Sequence, residues 1–244
     1  ETFTVNVLSP YGTGLIIADT KDGVNSDLSL IRSKEFTSEI SNSDDSRRIF
    51  KDLWSQNNGT ELPGLVLDAF TSTYGTNRSL TVMTTEKLFR ADQNDYVNIP
   101  SEEDENMFLV VPPNIGHGYE YGGFVEYRST SDEFMNANGL VASRGVQNSN
   151  RKYSYPMYPS GVRDYNVTLM YAPTNSYADV YLYDDLNKCM MFANYSGIWC
   201  GQSIIGAPFD VTNLKDYDPF FLGETASGIT LLAKENATGL FKGL

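Results

Sequence analysis

Short strand-forming stretches, each broken by Gly, Pro, Asn or Asp, recur along almost the whole chain, and no long amphipathic helical repeat competes with them. Segment 2–8 sets the pattern: Phe3, Val5 and Val7 point one way, Thr4 and Asn6 the other, and Ser9-Pro10-Tyr11-Gly12 ends the run. An extended pattern resumes at 15–18. Further strands are expected at 65–70, 80–85, 107–111, 123–127, 140–144, 151–157, 165–171, 177–183, 188–193, 198–203, 220–222 and 229–233. With 16 Tyr and 13 Phe, the composition favours strands as well. This rhythm predicts an all-β protein, an antiparallel β-sandwich or jelly roll.

One or two short helical insertions are expected. The best lies at 43–56, where Ser43 is a candidate cap, Asp44 and Asp45 suit the helix dipole, and Ile49, Phe50, Leu53 and Trp54 share a face. A chain of 244 residues fits one large β domain spanning 1–244, with a subdivision near 105 as the alternative.

Charge narrows the partners. There are 31 acidic and 18 basic residues, a net charge of −13, and no basic cluster beyond Arg47-Arg48 and Arg151-Lys152. Such a field repels a phosphate backbone, so no nucleic-acid partner is expected. No apolar run is long enough for a membrane-spanning helix. The first residue is Glu1, as in a processed secreted protein or an excised ectodomain.

The two cysteines, Cys189 and Cys200, flank the turn-like Asn194-Tyr195-Ser196-Gly197. A hairpin centred between Asn194 and Tyr195 sets them directly opposite each other and predicts a disulfide, hence an oxidising compartment. Sequons at Asn58, Asn77, Asn166, Asn194 and Asn236 fit a secreted glycoprotein, although their number is close to chance for this composition.

Three features are candidate ligand sites. Tyr177, Asp179, Tyr181, Tyr183 and Asp185 share one strand face, with Ala178, Val180 and Leu182 on the other; rings and carboxylates together suit sugars or peptides. The only histidine, His117, lies in a glycine-rich loop with Tyr119, Glu120 and Tyr121 and is a candidate acid–base group. Asp19, Asp22 and Asp27 cluster in a turn as candidate calcium ligands, without the EF-hand spacing; Asp92, Asp95, Asp216 and Asp218 form similar loops. Otherwise no cofactor is indicated.

Carboxylates that could form a glycosidase pair include Asp68, Glu120, Glu126, Asp132, Glu133 and Asp179, without a spacing that singles out two. No catalytic nucleophile, phosphate-loop, dinucleotide or zinc motif is present. The expectation is a non-enzymatic extracellular or cell-surface glycoprotein acting in adhesion, recognition or surface assembly, with a protein, glycan or identical subunit as partner. The alternatives are a structural subunit of a filament, surface layer or coat, joined by addition of strand 2–8, and a secreted carbohydrate-active hydrolase.

Overall fold

The computed structural model describes residues 11–12, 14–35, 48–74, 77–127, 131–145, 152–154, 156–161, 164–174, 179–203, 209–226 and 228–244. The strand expected at 2–8 and the site residue Tyr177 lie outside the described residues. The fold is all-β, with antiparallel sheets and one α-helix among the described residues. It divides into two compact units, Glu1–Glu103 and Asp104–Leu244.

In the first unit, β1 (Leu15–Asp19), β2 (Asn25–Arg32) and β3 (Arg48–Phe50) form one sheet, and β4 (Leu62–Pro63) pairs with the start of β2. A second sheet joins β5 (Val66–Tyr74), β6 (Asn77–Thr84) and β7 (Leu88–Asp92). The core draws Leu28 and Leu30 from β2, Leu80 and Val82 from β6, and Phe89 and Ala91 from β7. The helix α1 (Leu53–Asn58) adds Leu53 and Trp54.

Of the helix expected at 43–56, residues 43–47 lie outside the described residues, and over the described part only α1 is helical. Residues 48–50 pair with β2 instead, Leu30 opposite Phe50, and Asp52 takes a left-handed conformation (φ 55°) that no continuous helix can contain. The apolar spacing is real but is divided between a strand and a helix. Six residues cannot hold a helix alone in water. Two things hold α1: burial of Leu53 and Trp54, worth about 1.5–3 kcal/mol for a side chain of this kind, and a cap from another element. The buried Asp27 of β2 accepts, through Oδ1, the amide hydrogens of Trp54 (3.0 Å) and Ser55 (3.2 Å).

The second unit holds three sheets. The first is β8 (Gly122–Tyr127), β9 (Asp132–Ala137) and β10 (Leu140–Arg144), with β9 central. Next comes β11 (Val167–Tyr171), β12 (Val180–Asp184), β13 (Cys189–Asn194) and β14 (Gly197–Cys200), in that order. The third is β15 (Tyr217–Thr225), β16 (Gly228–Glu235) and β17 (Phe241–Gly243).

The four-stranded sheet is apolar on both faces. Val180, Leu182, Met191, Ala193 and Ile198 pack with Tyr127, Phe134 and Val141 of the β8–β10 sheet. Tyr183 and Met190, on the opposite face, pack with Leu222 and Leu231 of the β15–β17 sheet. Alternating side chains of one strand therefore serve two cores.

The strands expected at 107–111 and 151–157 are reduced, within the described residues, to a single parallel bridge between Phe108 and Tyr153. β2, β4, β7, β9 and β17 had no counterpart in the sequence-based expectations.

Candidate functional site

Where β8 approaches the end of β11, Val125, Glu126, Ser131, Tyr171, Ala172, Pro173 and Thr174 line a cleft of about 530 Å³. That volume falls within the range of small-ligand sites. Its polar groups are Glu126, Ser131 and Thr174; Val125, Tyr171, Ala172 and the buried Pro173 complete the lining. Ser131 holds a left-handed backbone (φ 57°), a conformation that costs a non-glycine residue about 1–3 kcal/mol.

A second carboxylate stiffens the rim. Glu224 of β15 accepts hydrogen bonds through Oε2 from the Tyr171 hydroxyl (3.2 Å), the Thr174 amide (3.3 Å) and the Thr174 hydroxyl (3.1 Å). The Tyr171 hydroxyl is pushed above its ordinary pKa, first by desolvation and then by the Glu224 carboxylate, so it stays a neutral donor.

Glu126 is exposed at the end of a row that crosses the first sheet. It lies opposite Glu133 of β9, which in turn lies opposite Arg144 of β10. Like charges facing each other across strands cost stability. Here the inner carboxylate is neutralised: Glu133, fully buried, takes the Arg144 guanidinium on Oε2 and the Tyr153 hydroxyl on Oε1. Glu126 and Glu133 were both candidates for a catalytic pair. Only Glu126 reaches the cleft; Glu133 is saturated inside the protein.

The sequence-derived sites fare differently. The Tyr/Asp strand face is not a wet platform. Tyr183 is fully buried, Tyr181 packs edge-on against Phe192 (ring centroids 5.2 Å apart), and Asp179 accepts a hydrogen bond from the Asn194 side-chain amide (2.9 Å). The β15–β17 sheet covers that face, and nothing local to residues 177–185 announces it.

The loop around His117 is not assembled as a site. His117 and Glu120 are exposed. Tyr119 turns inward to donate to Asp104 (3.2 Å), and Tyr121 donates to Asn166. Burial pushes the Tyr119 hydroxyl well above its ordinary pKa.

The predicted disulfide is corrected: Cys189 and Cys200 are free thiols. The hairpin turn is Tyr195-Ser196, closed by Asn194 opposite Gly197, so Cys200 lies opposite Met191. Asn194 sets this register by accepting the Ser196 amide hydrogen on its side chain (2.8 Å). A shift of two positions keeps both cysteines on one face but makes them diagonal neighbours, beyond ordinary disulfide reach. Burial pushes the Cys189 thiol up to about 12 and raises Cys200 as well, so neither is a ready nucleophile.

The calcium candidates are each engaged locally. Asp22 accepts the amide hydrogens of Val24 (2.8 Å) and Asn25 (2.7 Å), which hold its carboxyl down at about 2. Asp19 accepts from the Ser29 hydroxyl, and Asp27 caps α1. Among the described residues no three His, Cys, Asp or Glu side chains converge as a metal site. No helix among them is long and apolar enough to cross a membrane.

The sequons sit in unlike environments. Asn58 is fully used: its amide donates to the carbonyls of Trp54 and Tyr96 (both 2.9 Å) and its oxygen accepts the Asn98 amide (2.8 Å). Asn166 is half-buried against Gly139, Asn194 shapes the hairpin turn, and Asn236 is exposed on a turn. The side chain of Asn77 lies outside the described residues.

The β15–β17 sheet carries an exposed apolar patch that the sequence reading missed. Phe220, Phe221, Leu240 and Phe241 are all about half to three-quarters exposed, and the Phe220 and Phe241 rings meet edge to face at 5.6 Å. A bulge between Pro219 and Phe221 turns two consecutive Phe residues outward.

The chain matches no protein-family model and no curated protein sequence.

Proposed function

We infer that this protein is a non-enzymatic, extracellular or cell-surface recognition glycoprotein, and that the cleft between Glu126 and Tyr171 receives its ligand. The observation that carries this reading is the composition of the cleft, which brings an aromatic residue, a carboxylate and two hydroxyl side chains together on a sheet frame. Sugar rings stack on aromatic side chains, and their hydroxyls donate to carboxylates. Glu224 supports a binding role over a hydrolytic one, because its Oε2 already holds three hydrogen bonds and shapes the rim. The acidic surface and the exposed Asn236 sequon are in keeping with a place outside the cell.

A glycan array with the wild-type protein, Glu126→Gln and Tyr171→Ala tests this. Binding by the wild type that falls about tenfold or more in both variants, equivalent to about 1.4 kcal/mol or more, supports the reading. Undiminished binding in both removes the cleft from it.

A second reading, surface assembly, is favoured by the Phe220–Phe241 patch on a sheet whose outer strand β17 pairs only with β16 among the described residues. It predicts large particles in light scattering that disappear in Phe220→Ser/Phe241→Ser. A protein that stays monomeric at high concentration sinks it.

A further inference from the structure

Outside the cleft, two side chains of the first unit meet on the carboxylate of a third. Glu103 holds the Lys87 amine on Oε2 and the Asn98 side-chain amide on Oε1, the latter at 2.5 Å. Lys87 directly precedes β7, and Asn98 lies across from Ala91 near the other end of that strand. Glu103 follows the short 3₁₀ turn Pro100–Glu102, which returns the chain towards Lys87. The Lys87 nitrogen lies 5.5 Å from the centroid of the buried Phe89 ring.

The amide is fixed from the backbone side as well. The Asn98 N–H donates to Asn58 Oδ1 (2.8 Å), and the neighbouring Ile99 N–H donates to the Arg90 carbonyl (2.7 Å). Yet Asn98 Oδ1 is buried and accepts no hydrogen bond. A buried carbonyl oxygen without a donor costs about 1–3 kcal/mol, so this amide is held in place without being satisfied.

We propose that Lys87 and Asn98 are joined by an intramolecular isopeptide bond, formed with Glu103 as the proton carrier. Glu103 first takes a proton from the Lys87 ammonium, leaving a neutral amine beside the amide. A half-turn of the Asn98 side chain brings Oδ1 to the protonated Glu103, which donates to it and polarises the carbonyl. The Nζ lone pair attacks Cγ, forming the C–N bond and moving the π pair onto Oδ1. Glu103 then passes its proton to Nδ2, the carbonyl re-forms as the Cγ–Nδ2 bond breaks, and the departing ammonia takes one of the two protons left on Nζ and leaves as ammonium, the other staying as the amide N–H.

The balance is one ammonium and one primary amide giving one secondary amide and one ammonium ion, with Glu103 restored as carboxylate. No oxidant, metal or cofactor takes part. Holding nucleophile and electrophile on a single carboxylate supplies the proximity that an uncatalysed transamidation lacks. In a surface-exposed recognition protein the crosslink would tie the start of β7 to the segment that returns beside it at Asn98.

Intact-mass and peptide-mapping spectrometry on the full-length protein, after prolonged incubation at neutral pH, tests this. The expected result is loss of one ammonia, protection of the Lys87–Leu88 bond from trypsin, and a branched peptide containing both Lys87 and Asn98. Lys87→Arg keeps the positive charge beside Glu103 but cannot form the amide, so it should retain the full mass; Glu103→Gln should do the same. A wild-type protein with the unmodified mass and ready cleavage after Lys87 overturns the proposal, whatever the variants do. So does an ammonia loss that persists in Lys87→Arg, since that marks a succinimide at Asn98.

Discussion

Replacing Glu133 by Gln should destabilise the second unit severely, although the change is isosteric and the side chain is fully buried. Glu133 is fully buried and holds Arg144, whose side chain is only 8% exposed, together with the Tyr153 hydroxyl. Removing one partner of a buried ion pair costs about 3–5 kcal/mol, because the other side chain loses its counter-charge in a poorly solvated place. One gain offsets this. Glu126 faces Glu133 across the strands, and relieving that like-charge pair returns at most about 1 kcal/mol. The net expectation is about 2–4 kcal/mol, a large share of the 5–15 kcal/mol typical of a folded domain.

Urea unfolding followed by the fluorescence of Trp199, which lies in β14 of the same unit, reads the effect in a Trp54→Phe background. With a slope of about 2 kcal/mol per molar urea, the midpoint should fall by about 1–2 M. Glu126→Gln is the control, because it leaves the Glu133–Arg144 pair intact; its midpoint should stay level or rise slightly. A Glu133→Gln shift below about 1 kcal/mol, or an equal loss in Glu126→Gln, would refute this account of the charge row.

Other expectations follow from particular contacts. Tyr183→Ala empties a fully buried site between two sheets and should cost about 3–5 kcal/mol, whereas Tyr183→Phe, losing only a 3.5 Å contact to Asp185, should cost less than about 1, as read by thermal unfolding. Gly139→Ala should destabilise by more than about 1 kcal/mol, because φ is +89° and an added Cβ would collide with Asn166 Oδ1. The folded state disfavours ionisation of Cys189, so that contribution to stability is complete below about pH 9 and is lost as pH rises from 9 towards 12; alkaline denaturation of Cys189→Ser should show a shallower decline over that window. In a Cys200→Ser variant, the buried Cys189 should react with thiol reagents at pH 8 only slowly in the native protein and at once when unfolded; fast native labelling would contradict its burial.

Strand periodicity made much of the fold legible. The alternation in β12 identifies Val180 and Leu182 as core-facing. The same alternation cannot reveal that a third sheet covers Tyr181 and Tyr183, because Leu222 and Leu231 arrive from a segment far along the chain. β2 was hidden by its polar residues: Asp27 and Ser29 alternate with Leu28 and Leu30, and Asp27 looked like a calcium ligand when its partners are the amides of α1. The hairpin register turned on one side-chain hydrogen bond from the Ser196 amide to Asn194, which propensity does not encode.

The cleft was the least legible part. Glu126 was one carboxylate among many, and Tyr171 read only as the end of a strand. Their meeting, and the three hydrogen bonds that bring Glu224 to the rim, are tertiary facts about β8, β11 and β15. The Lys87–Glu103–Asn98 cluster likewise depends on a 3₁₀ turn that reverses the chain after Ile99, where the sequence offers only a proline followed by acidic residues.

Mapping backbone amide shifts during titration with the strongest ligand from the glycan array tests the central functional claim most directly. The account predicts that the largest changes cluster at Val125, Glu126, Ser131 and residues 171–174, and that they vanish in Tyr171→Ala. Changes confined to the Phe220–Phe241 face, or none at saturating sugar, would contradict it.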